Sequence, residues 1–464
     1  MTPQTPPRQV GSIDFDLAVA RSCVQAARDA EAREAYLAVL RRDPAHLAAL
    51  SELAALACAG GHRSAARTLC EQAARCHPDS ASALIGLGNL FIEDEALAAA
   101  RDAFVAALAI DPECAEAHQG LARSLTELGE VAAAEPHWHK GFVGHAVILR
   151  PHRGEATPVR VLLLVAARGG NIPTAAFLDD RLFDVTIVYA DFHDPADDLP
   201  LHAVILNAIG DADLCPAALA GAEAIVGRTT APLVNPPALV RRTGRLANAR
   251  RLGGISGVRA PRVESLSRAA ILSRAGWEFP LLLRAPGFHT GRHFRRIDGA
   301  EELAPALAAL PGEELLAISY LDARGADGLA RKYRVMIVDG VLHPLHLAIA
   351  EDWKVHYFTA GMAADPARRE EERRFLEDMP AVLGPRAMAA LAGIGETLGL
   401  DYAGIDFGLA ADGSVLLFEA NAAMVVHPPD ADPIWDYRRA AVGRVLDAVR
   451  RMLLARAATA SPSR

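Results

Sequence analysis

A 34-residue repeat in the N-terminal third is the feature that most restricts the fold of this 464-residue chain. Proline recurs at Pro44, Pro78 and Pro112, at intervals of 34 residues. At the same interval, an alanine is followed four positions later by a residue that is aromatic in three cases of four: Ala32, Ala66, Ala100 and Ala134, with Tyr36, Cys70, Phe104 and Trp138. A small alanine lets two helices approach, the larger side chain fills the gap, and proline ends the second helix. The repeat therefore predicts stacked helix pairs over residues 15–149.

This pattern resembles the tetratricopeptide repeat, and it is strongest over residues 45–112. The fourth unit has Pro136 inside its second helix and lacks the closing proline, which predicts a kinked or capping helix. A stack of helix pairs has a concave face. Two interpretations stay open for it: a groove for a peptide or protein partner, or a spacer or dimerisation module, so a homodimer is compatible with the sequence.

Composition excludes several classes of function. A hydrophobic fraction of 51% and a charged fraction of 23% are typical of a globular protein. The net charge of −9, without basic patches interleaved with aromatics, argues against nucleic-acid binding. No apolar run reaches the length of a membrane span, and the N-terminus lacks the pattern of a secretory signal. The six cysteines show no metal-ligand spacing, so we expect a cytoplasmic protein with reduced thiols.

A polar linker at 150–158 separates the repeats from an α/β segment over 159–224. The elements expected there are a buried strand at 159–167, a helix from about Thr174, and strands near 184–190 and 203–208. Together they predict a small Rossmann-like layer. Its Gly169–Gly170 pair does not match GxGxxG, so no dinucleotide fingerprint is expected.

Residues 406–421, DFGLAADGSVLLFEAN, read as a β-hairpin. The Asp412–Gly413 pair is a strong signal for a two-residue turn, because both central positions of such a turn need positive φ. Ala411 would then pair with Ser414. The same register fixes every pair further along the two strands.

In that register Asp406 lies opposite Glu419, and Asn421 shares their face opposite Gly404. Two opposed carboxylates repel each other unless a cation or proton lies between them. A solvated acidic face without function is the alternative interpretation. The other face of the hairpin is expected to be apolar: Ile405, Phe407, Leu409, Leu416, Phe418 and Ala420.

Two further segments carry polar residues at strand ends. Arg284 ends an apolar strand and is followed by a loop with Gly287 and Gly291, whose backbone N–H groups could face a phosphate; an ordinary turn is the alternative. Arg334 stands among apolar neighbours in a second Asp–Gly hairpin at 332–349, and its partner could be a structural carboxylate or a bound ligand.

The order of these features over roughly 225–450 resembles the ATP-grasp fold, as in glutathione synthetases, D-alanine ligases and ribosomal-protein glutamate ligases. The expected fold is therefore a repeat solenoid (all α), a small Rossmann-like layer (159–224) and, as the ATP-grasp resemblance implies, an α+β ATP-grasp domain (225–455). Residues 1–14 and 456–464 are expected to be disordered.

The resemblance also implies roles for individual residues. Mg²⁺, as two ions, would be held by Asp406, Glu419 and Asn421. Arg334 would face the reacting carboxylate. The residues implied to bind ATP are Arg245, Arg284, Gly287, His289, Thr290, Gly291, Ser319, Tyr320 and Asp322. Candidates for the substrate pocket are His343, His346, Lys354 and His356.

The implied activity is ATP-dependent ligation of a carboxylate to an amine through an acylphosphate, with ADP and phosphate as products. The repeats would recruit a peptide or protein. Two other hypotheses stay open. The first is a nucleotide-binding scaffold without catalysis, and the second is a glycosyltransferase with a repeat array, which would need a second Rossmann layer.

Overall fold

The computed structural model describes residues 12–150, 152–288 and 291–459. The chain divides into two compact units. Unit 1 is the chain up to Pro158 together with Asp180–Leu182, and unit 2 is Val159–Asp179 together with the chain from Phe183 onwards.

Unit 1 contains four consecutive helix pairs. Its helices are α1 (Ile13–Gln25), α2 (Asp29–Arg42), α3 (Leu47–Ala59), α4 (Arg63–Cys76), α5 (Ala81–Glu93), α6 (Leu97–Ile110), α7 (Ala115–Glu127) and α8 (Val131–Phe142). Equivalent helices of successive pairs begin 34 residues apart, and a short strand β1 (Val147–Arg150) follows. The predicted helical repeat is therefore confirmed. Helix α8 runs through Pro136.

The repeated alanines and aromatic residues form the interior of unit 1. The four alanines of the repeat are 0% exposed, and the residues four positions later are all buried. Phe104 of α6 shows how close the packing is. A Cβ atom added at Gly88 of α5 or at Gly120 of α7 would lie 2.8 Å or 2.2 Å from the Phe104 ring. Glycine at these two positions makes room for the aromatic side chain.

Unit 2 begins with a parallel sheet in the order β3-β2-β4-β5. Its strands are β2 (Val159–Val165), β3 (Phe183–Tyr189), β4 (Val204–Asn207) and β5 (Leu233–Val234), with α9 (Pro216–Val226) preceding β5. The predicted strands are confirmed, but the predicted helix from Thr174 is wrong. The Thr174 carbonyl accepts hydrogen bonds from the N–H groups of Phe177 and Leu178, and the turn ends there because the chain enters β3 a few residues later.

A four-stranded antiparallel sheet follows, in the order β7-β10-β8-β9. The elements of this region are α10 (Pro237–Val240), α11 (Arg245–Leu252), β6 (Val258–Arg259), β7 (Val263–Ser267), α12 (Arg268–Ser273), β8 (Leu281–Arg284), β9 (Phe294–Ile297), α13 (Leu303–Ala309) and β10 (Glu314–Ser319). Short 3-10 helices occur at 241–243 and 300–302.

The remainder of unit 2 builds a five-stranded sheet in the order β12-β11-β13-β14-β6, antiparallel except for the β14–β6 pair. Its elements are β11 (Ala330–Val338), β12 (Val341–Ala350), α14 (Pro366–Glu377), α15 (Met379–Leu398), β13 (Tyr402–Leu409), β14 (Val415–Asn421) and α16 (Asp436–Thr459). Helix α15 is interrupted at Gly384, and 3-10 helices occur at 357–359 and 433–435.

The β13–β14 hairpin differs from its predicted turn but keeps the predicted register at the far end. The Ala410 N–H donates to the Ser414 carbonyl, so the loop has three residues, with Gly413 at φ 76°, and the predicted pairing of Ala411 with Ser414 is wrong. The strand pairing shifts by one residue between Asp406 and Phe407. This bulge compensates for the longer loop, so Asp406 still pairs with Glu419 as predicted.

The ends of the described chain are helical. Helix α1 begins at Ile13 and α16 ends at Thr459, so the disorder predicted for 1–14 and 456–464 is wrong where the structure describes those residues. The rest of both segments lies outside the described residues. No helix within 12–150, 152–288 or 291–459 combines the length and apolar character needed to cross a membrane.

Candidate functional site

A cavity of about 680 Å³ in unit 2 is lined by strands of both antiparallel sheets. Most of the predicted site residues line it: Arg245, Arg284, Gly291, Ser319, Tyr320, Arg334, His346, Lys354, His356, Asp406, Glu419 and Asn421. These residues come from six separate stretches of the chain. The fold therefore gathers them around one space large enough for a small-molecule ligand.

A row of ionisable side chains crosses four adjacent strands on one wall of this cavity. Glu419 of β14 pairs with Asp406 of β13, Asp406 with Arg334 of β11, and Arg334 with His346 of β12. Directly paired residues of adjacent strands project to the same face of a sheet. The row is therefore fixed by strand register.

Asp406 is almost completely buried, at 3% exposure, and forms a double hydrogen bond with Arg334. The Arg334 Nε and Nη2 atoms lie 2.5 and 2.7 Å from the two carboxylate oxygens. Lys332 Nζ lies 3.2 Å from Oδ2. Burial opposes ionisation of Asp406, but the positive charges of Arg334 and Lys332 outweigh it and hold the pKa well below its ordinary value.

Glu419 has its own cation. Its Oε1 atom accepts hydrogen bonds from Arg245 Nη2 at 2.6 Å and from Asn421 Nδ2 at 2.9 Å. Burial and the neighbouring Asp406 raise the pKa of Glu419, but the charges of Arg245, Arg284 and Arg334 together outweigh them, so the net pKa lies below the ordinary value. The predicted repulsion between the two carboxylates is thus offset by cations of the protein, and a metal is not needed for that purpose.

Two cations hold the loop that follows β8. Arg284, at 8% exposure, donates from Nη2 to the Phe288 carbonyl, and burial lowers its pKa to about 10. Lys354 Nζ donates to the Gly291 carbonyl at 2.5 Å. Gly287, predicted to bind phosphate, does not line the cavity, and a Cβ atom added there would meet no described atom within 4 Å.

His289 and Thr290, which were predicted to bind ATP, lie outside the described residues.

The end of β10 and the residues after it form an apolar and aromatic wall. Ser319 and Tyr320 line the cavity as predicted, together with Ile318 and Leu321. Asp322 does not, because its carboxylate is held by Arg324, whose Nη2 lies 2.6 Å from Oδ2. The Trp353 ring lies 5.4 Å from Phe294 and 6.4 Å from Tyr320, which extends the aromatic surface.

Of the predicted substrate residues, His346, Lys354 and His356 line the cavity and His343 does not. His343 pairs with Met336, which is buried in the core. Burial and then the charges of Arg444 and Arg451 of α16 lower its pKa.

The sequence analysis missed several lining residues. Lys332 could have been found, because it lies two positions before Arg334 and so shares its face of β11. Phe418, expected on the apolar face, lines the cavity because it lies at the bulge. Other lining residues that were missed come from segments without a recognisable signal: Asp211, Trp353, Tyr357, His427, Trp435 and Arg438.

The donor set fits magnesium only if other ligands complete the shell. No group of three or more His, Cys, Asp or Glu side chains arranged to hold a metal occurs among the described residues. Asp406, Glu419 and Asn421 offer two carboxylates and one amide on one cavity wall. Mg²⁺ typically binds through one or two carboxylates while phosphates and water fill its other positions. The residues therefore fit Mg²⁺ that arrives with a polyphosphate.

Comparison with known proteins gives similarity to solved structures only. No family model matches the chain, and no curated protein matches it. Among the similar structures, MamA AMB-1 is 20% identical over 29% of this chain and 74% of that chain, with a TM-score of 0.26. MamA 41-end from Desulfovibrio magneticus RS-1 is 21% identical over 28% of this chain and 74% of that chain, with a TM-score of 0.26. These values carry no inference about function.

Proposed function

We propose that this chain is an ATP-dependent carboxylate–amine ligase of the ATP-grasp type, whose repeats recruit a peptide or protein. The observation that carries the proposal is the composition of the cavity wall. Arg245, Arg284, Lys332 and Arg334 surround two carboxylates, the buried Asp406 and the partly buried Glu419, in a cavity lined by two antiparallel sheets. Such a site is suited to a triphosphate, whose negative charge several cations can share.

The two walls suit the two parts of a nucleotide. The segment from Ile318 to Leu321, with Phe294 and Trp353, provides an apolar and aromatic surface for a base. Arg284 at the end of β8 and Lys332 and Arg334 within β11 would provide positive charge for phosphates. Asp406, Glu419 and Asn421 would hold Mg²⁺, which when bound would supply further neutralisation of phosphate charge.

In this arrangement Arg334 is the residue placed to act on the reacting groups. It lines the cavity between Asp406 and His346 and carries a fixed positive charge on a rigid strand. A substrate carboxylate bound beside it would attack the terminal phosphorus of ATP, forming an acylphosphate and releasing ADP. An amine would then attack the acyl carbon, forming the amide and releasing phosphate. The cavity wall would limit access of water to the acylphosphate.

Phosphate release measured with ATP, Mg²⁺, hydroxylamine as a general amine and a panel of carboxylic acids tests this proposal. We expect acid-dependent release of ADP and phosphate with formation of a hydroxamate. Arg334→Lys should lower the rate by about 10²–10³-fold, because the planar double contact is lost. Arg324→Lys, at an exposed ion pair outside the cavity, is the matched control. Acid-independent release, or equal rates for both variants, would contradict the ligase activity.

One observation favours a second candidate, a nucleotide-binding scaffold. Both oxygens of Asp406 already accept hydrogen bonds from Arg334, so the acid is in use as a structural partner. A scaffold would bind nucleotide and release no phosphate with any acid and amine. Nothing in the described residues favours the glycosyltransferase, since they contain one parallel sheet only.

A further inference from the structure

The cavity wall also contains a buried arginine, Arg438, that the ligase scheme does not use. Arg438 lies in the first turn of α16, lines the cavity and is 8% exposed. Its guanidinium lies 4.1 Å from the Tyr357 ring and 5.9 Å from the Trp435 ring. The guanidinium is therefore held in place by aromatic rings, in a wall of the same cavity as the proposed nucleotide site.

Glu372 is the only carboxylate paired with Arg438 in the described chain, and several other donors share it. Glu372 Oε1 lies 3.2 Å from Arg438 Nε and also accepts the Leu347 N–H. Its Oε2 accepts the hydroxyl groups of Tyr437 at 2.5 Å and Tyr357 at 3.4 Å. Glu372 thus orients Arg438 from one side, while much of its own hydrogen-bonding capacity serves other groups.

The Arg438 guanidinium has a buried donor without a hydrogen-bond partner among the described residues. Its Nε, although close to Glu372, has no hydrogen-bond partner there. A guanidinium carries five N–H donors, and a buried donor without a partner is unfavourable. Such a group, placed on a cavity wall, is suited to a planar anion that accepts two parallel hydrogen bonds.

His346 provides a second unsatisfied group beside the first. It is 6% exposed, lines the cavity, and its Nδ1 has no hydrogen-bond partner among the described residues. The His346 ring lies 4.8 Å from the Tyr357 ring, which Arg438 covers. Two buried side chains, each with one nitrogen that lacks a hydrogen-bond partner among the described residues, therefore flank one tyrosine, and His346 is also the strand neighbour of Arg334.

We propose that Arg438 and His346 form a subsite for a carboxylate that does not react. This inference rests on the proposed function, in which the reacting carboxylate lies beside Arg334. The second carboxylate would lie at His346, the strand neighbour of Arg334, and at Arg438, whose guanidinium lies over the Tyr357 ring. Two kinds of substrate have such a group: a dicarboxylic acid, which is activated at its other end, or an amino acid that serves as the amine. Either substrate fits the subsite, because each has a carboxylate that Arg438 can bind.

Calorimetric titration with matched pairs of small molecules tests the subsite and separates its two sources. The dicarboxylates succinate, glutarate and adipate are compared with the monocarboxylates butyrate, valerate and hexanoate. The amino acids glycine, β-alanine and 4-aminobutyrate are compared with the amines methylamine, ethylamine and propylamine, which lack the carboxylate. Each titration is made with and without Mg²⁺ and a non-hydrolysable ATP analogue. We expect one carboxylate-bearing series to bind at least tenfold more tightly than its matched series.

The variants keep the test independent of folding. Arg438→Lys retains the charge and should lose at least tenfold in affinity, because lysine cannot make the double contact. The double variant Arg438→Leu with Glu372→Gln removes both buried charges and should lose the preference entirely. Arg451→Met, an exposed arginine of the same helix, is the control and should bind as the wild type.

The inference is overturned if neither series binds more tightly than its match, or if Arg438→Lys binds as the wild type. Failure of the proposed function gives a different result: the ATP analogue does not bind, while the preference for a carboxylate persists and depends on Arg438. If the analogue binds and no carboxylate preference exists, the nucleotide site stands and the subsite does not.

Discussion

The row His346–Arg334–Asp406–Glu419 shows how strand register concentrates charge in a buried place. Removing one partner of such a buried pair typically costs about 3–5 kcal/mol, because an uncompensated charge stays behind. Arg334 and Lys332 together balance Asp406, and Arg245 balances Glu419. The carboxylates of this cavity wall are therefore balanced by cations of the protein, and in the proposed site these cations would also contact the phosphates of a bound nucleotide.

His346 should make the stability of unit 2 depend on pH. Burial, and then the charge of Arg334, lower the pKa of His346 well below its ordinary value. Just below pH 6.5, the His346 imidazole therefore binds a proton in the unfolded chain but stays neutral in the folded chain. The stabilising contribution is complete above about pH 6.5 and is lost as the pH falls towards the folded pKa, by at most about 1.4 kcal/mol per pH unit.

Urea unfolding at pH 7.5, 6.5, 5.5 and 4.5, followed by tryptophan fluorescence, measures this effect. In His346→Gln, the free energy of unfolding should decline less steeply below pH 6.5 than in the wild type. His139→Gln, at an exposed position of α8, should leave the decline unchanged. An equally steep decline in His346→Gln and the wild type would show that other groups cause it.

At the level of single residues, the sequence predicted groups fixed by strand alternation and missed those brought in by tertiary packing. The opposed pair Asp406 and Glu419 followed from counting along two strands. Arg438 comes from the C-terminal helix, and only the folded chain brings it beside Tyr357. No local pattern around position 438 distinguishes it from the exposed arginines of the same helix.

The two Asp–Gly hairpins show the limits of turn prediction at the level of elements. Asp339 and Gly340 both have positive φ, 49° and 79°, and form the two-residue turn that the dipeptide predicts. In the other hairpin, only Gly413 has positive φ. The Asp412 carboxylate accepts hydrogen bonds from the Ser414 N–H at 3.1 Å and hydroxyl at 3.0 Å, which stabilises the longer loop. Side-chain hydrogen bonds of this kind compete with the preference of an Asp–Gly pair for a two-residue turn.

The helix pairs of unit 1 allow a matched test of packing. Gly86 and Gly120 are 34 residues apart and occupy equivalent positions in α5 and α7. A Cβ at Gly120 would lie 2.2 Å from the Phe104 ring, whereas one at Gly86 would make an ordinary contact, 3.6 Å from Cys70 Sγ. Gly120→Ala should therefore destabilise unit 1 by about 1–3 kcal/mol.

Gly86→Ala is the control, and it should be neutral or stabilising by up to about 1 kcal/mol, because alanine favours helix. Denaturant unfolding followed by far-UV circular dichroism compares the two variants. Equal losses of stability would mean that Phe104 does not set the helix spacing.

At the level of the whole molecule, the helical repeat was the most predictable part, because a fixed 34-residue period constrains every helix at once. The strands of the parallel sheet were found from short apolar runs. The prediction of a helix from Thr174 was wrong because the connection to β3 is too short for one. The relation between the two antiparallel sheets could be expected only from resemblance, since contacts between distant segments leave no local pattern.

The proposed function depends on binding of ATP together with Mg²⁺ in the cavity of unit 2. Calorimetric titration of the whole chain with ATP, with and without Mg²⁺, tests it most directly. We predict binding that strengthens when Mg²⁺ is present and weakens at least tenfold in Asp406→Asn. Asp412→Asn, at the exposed turn of the same hairpin, should bind as the wild type. Absence of ATP binding to the wild type, or equal binding by Asp406→Asn, would contradict the nucleotide site and the ligase proposal with it.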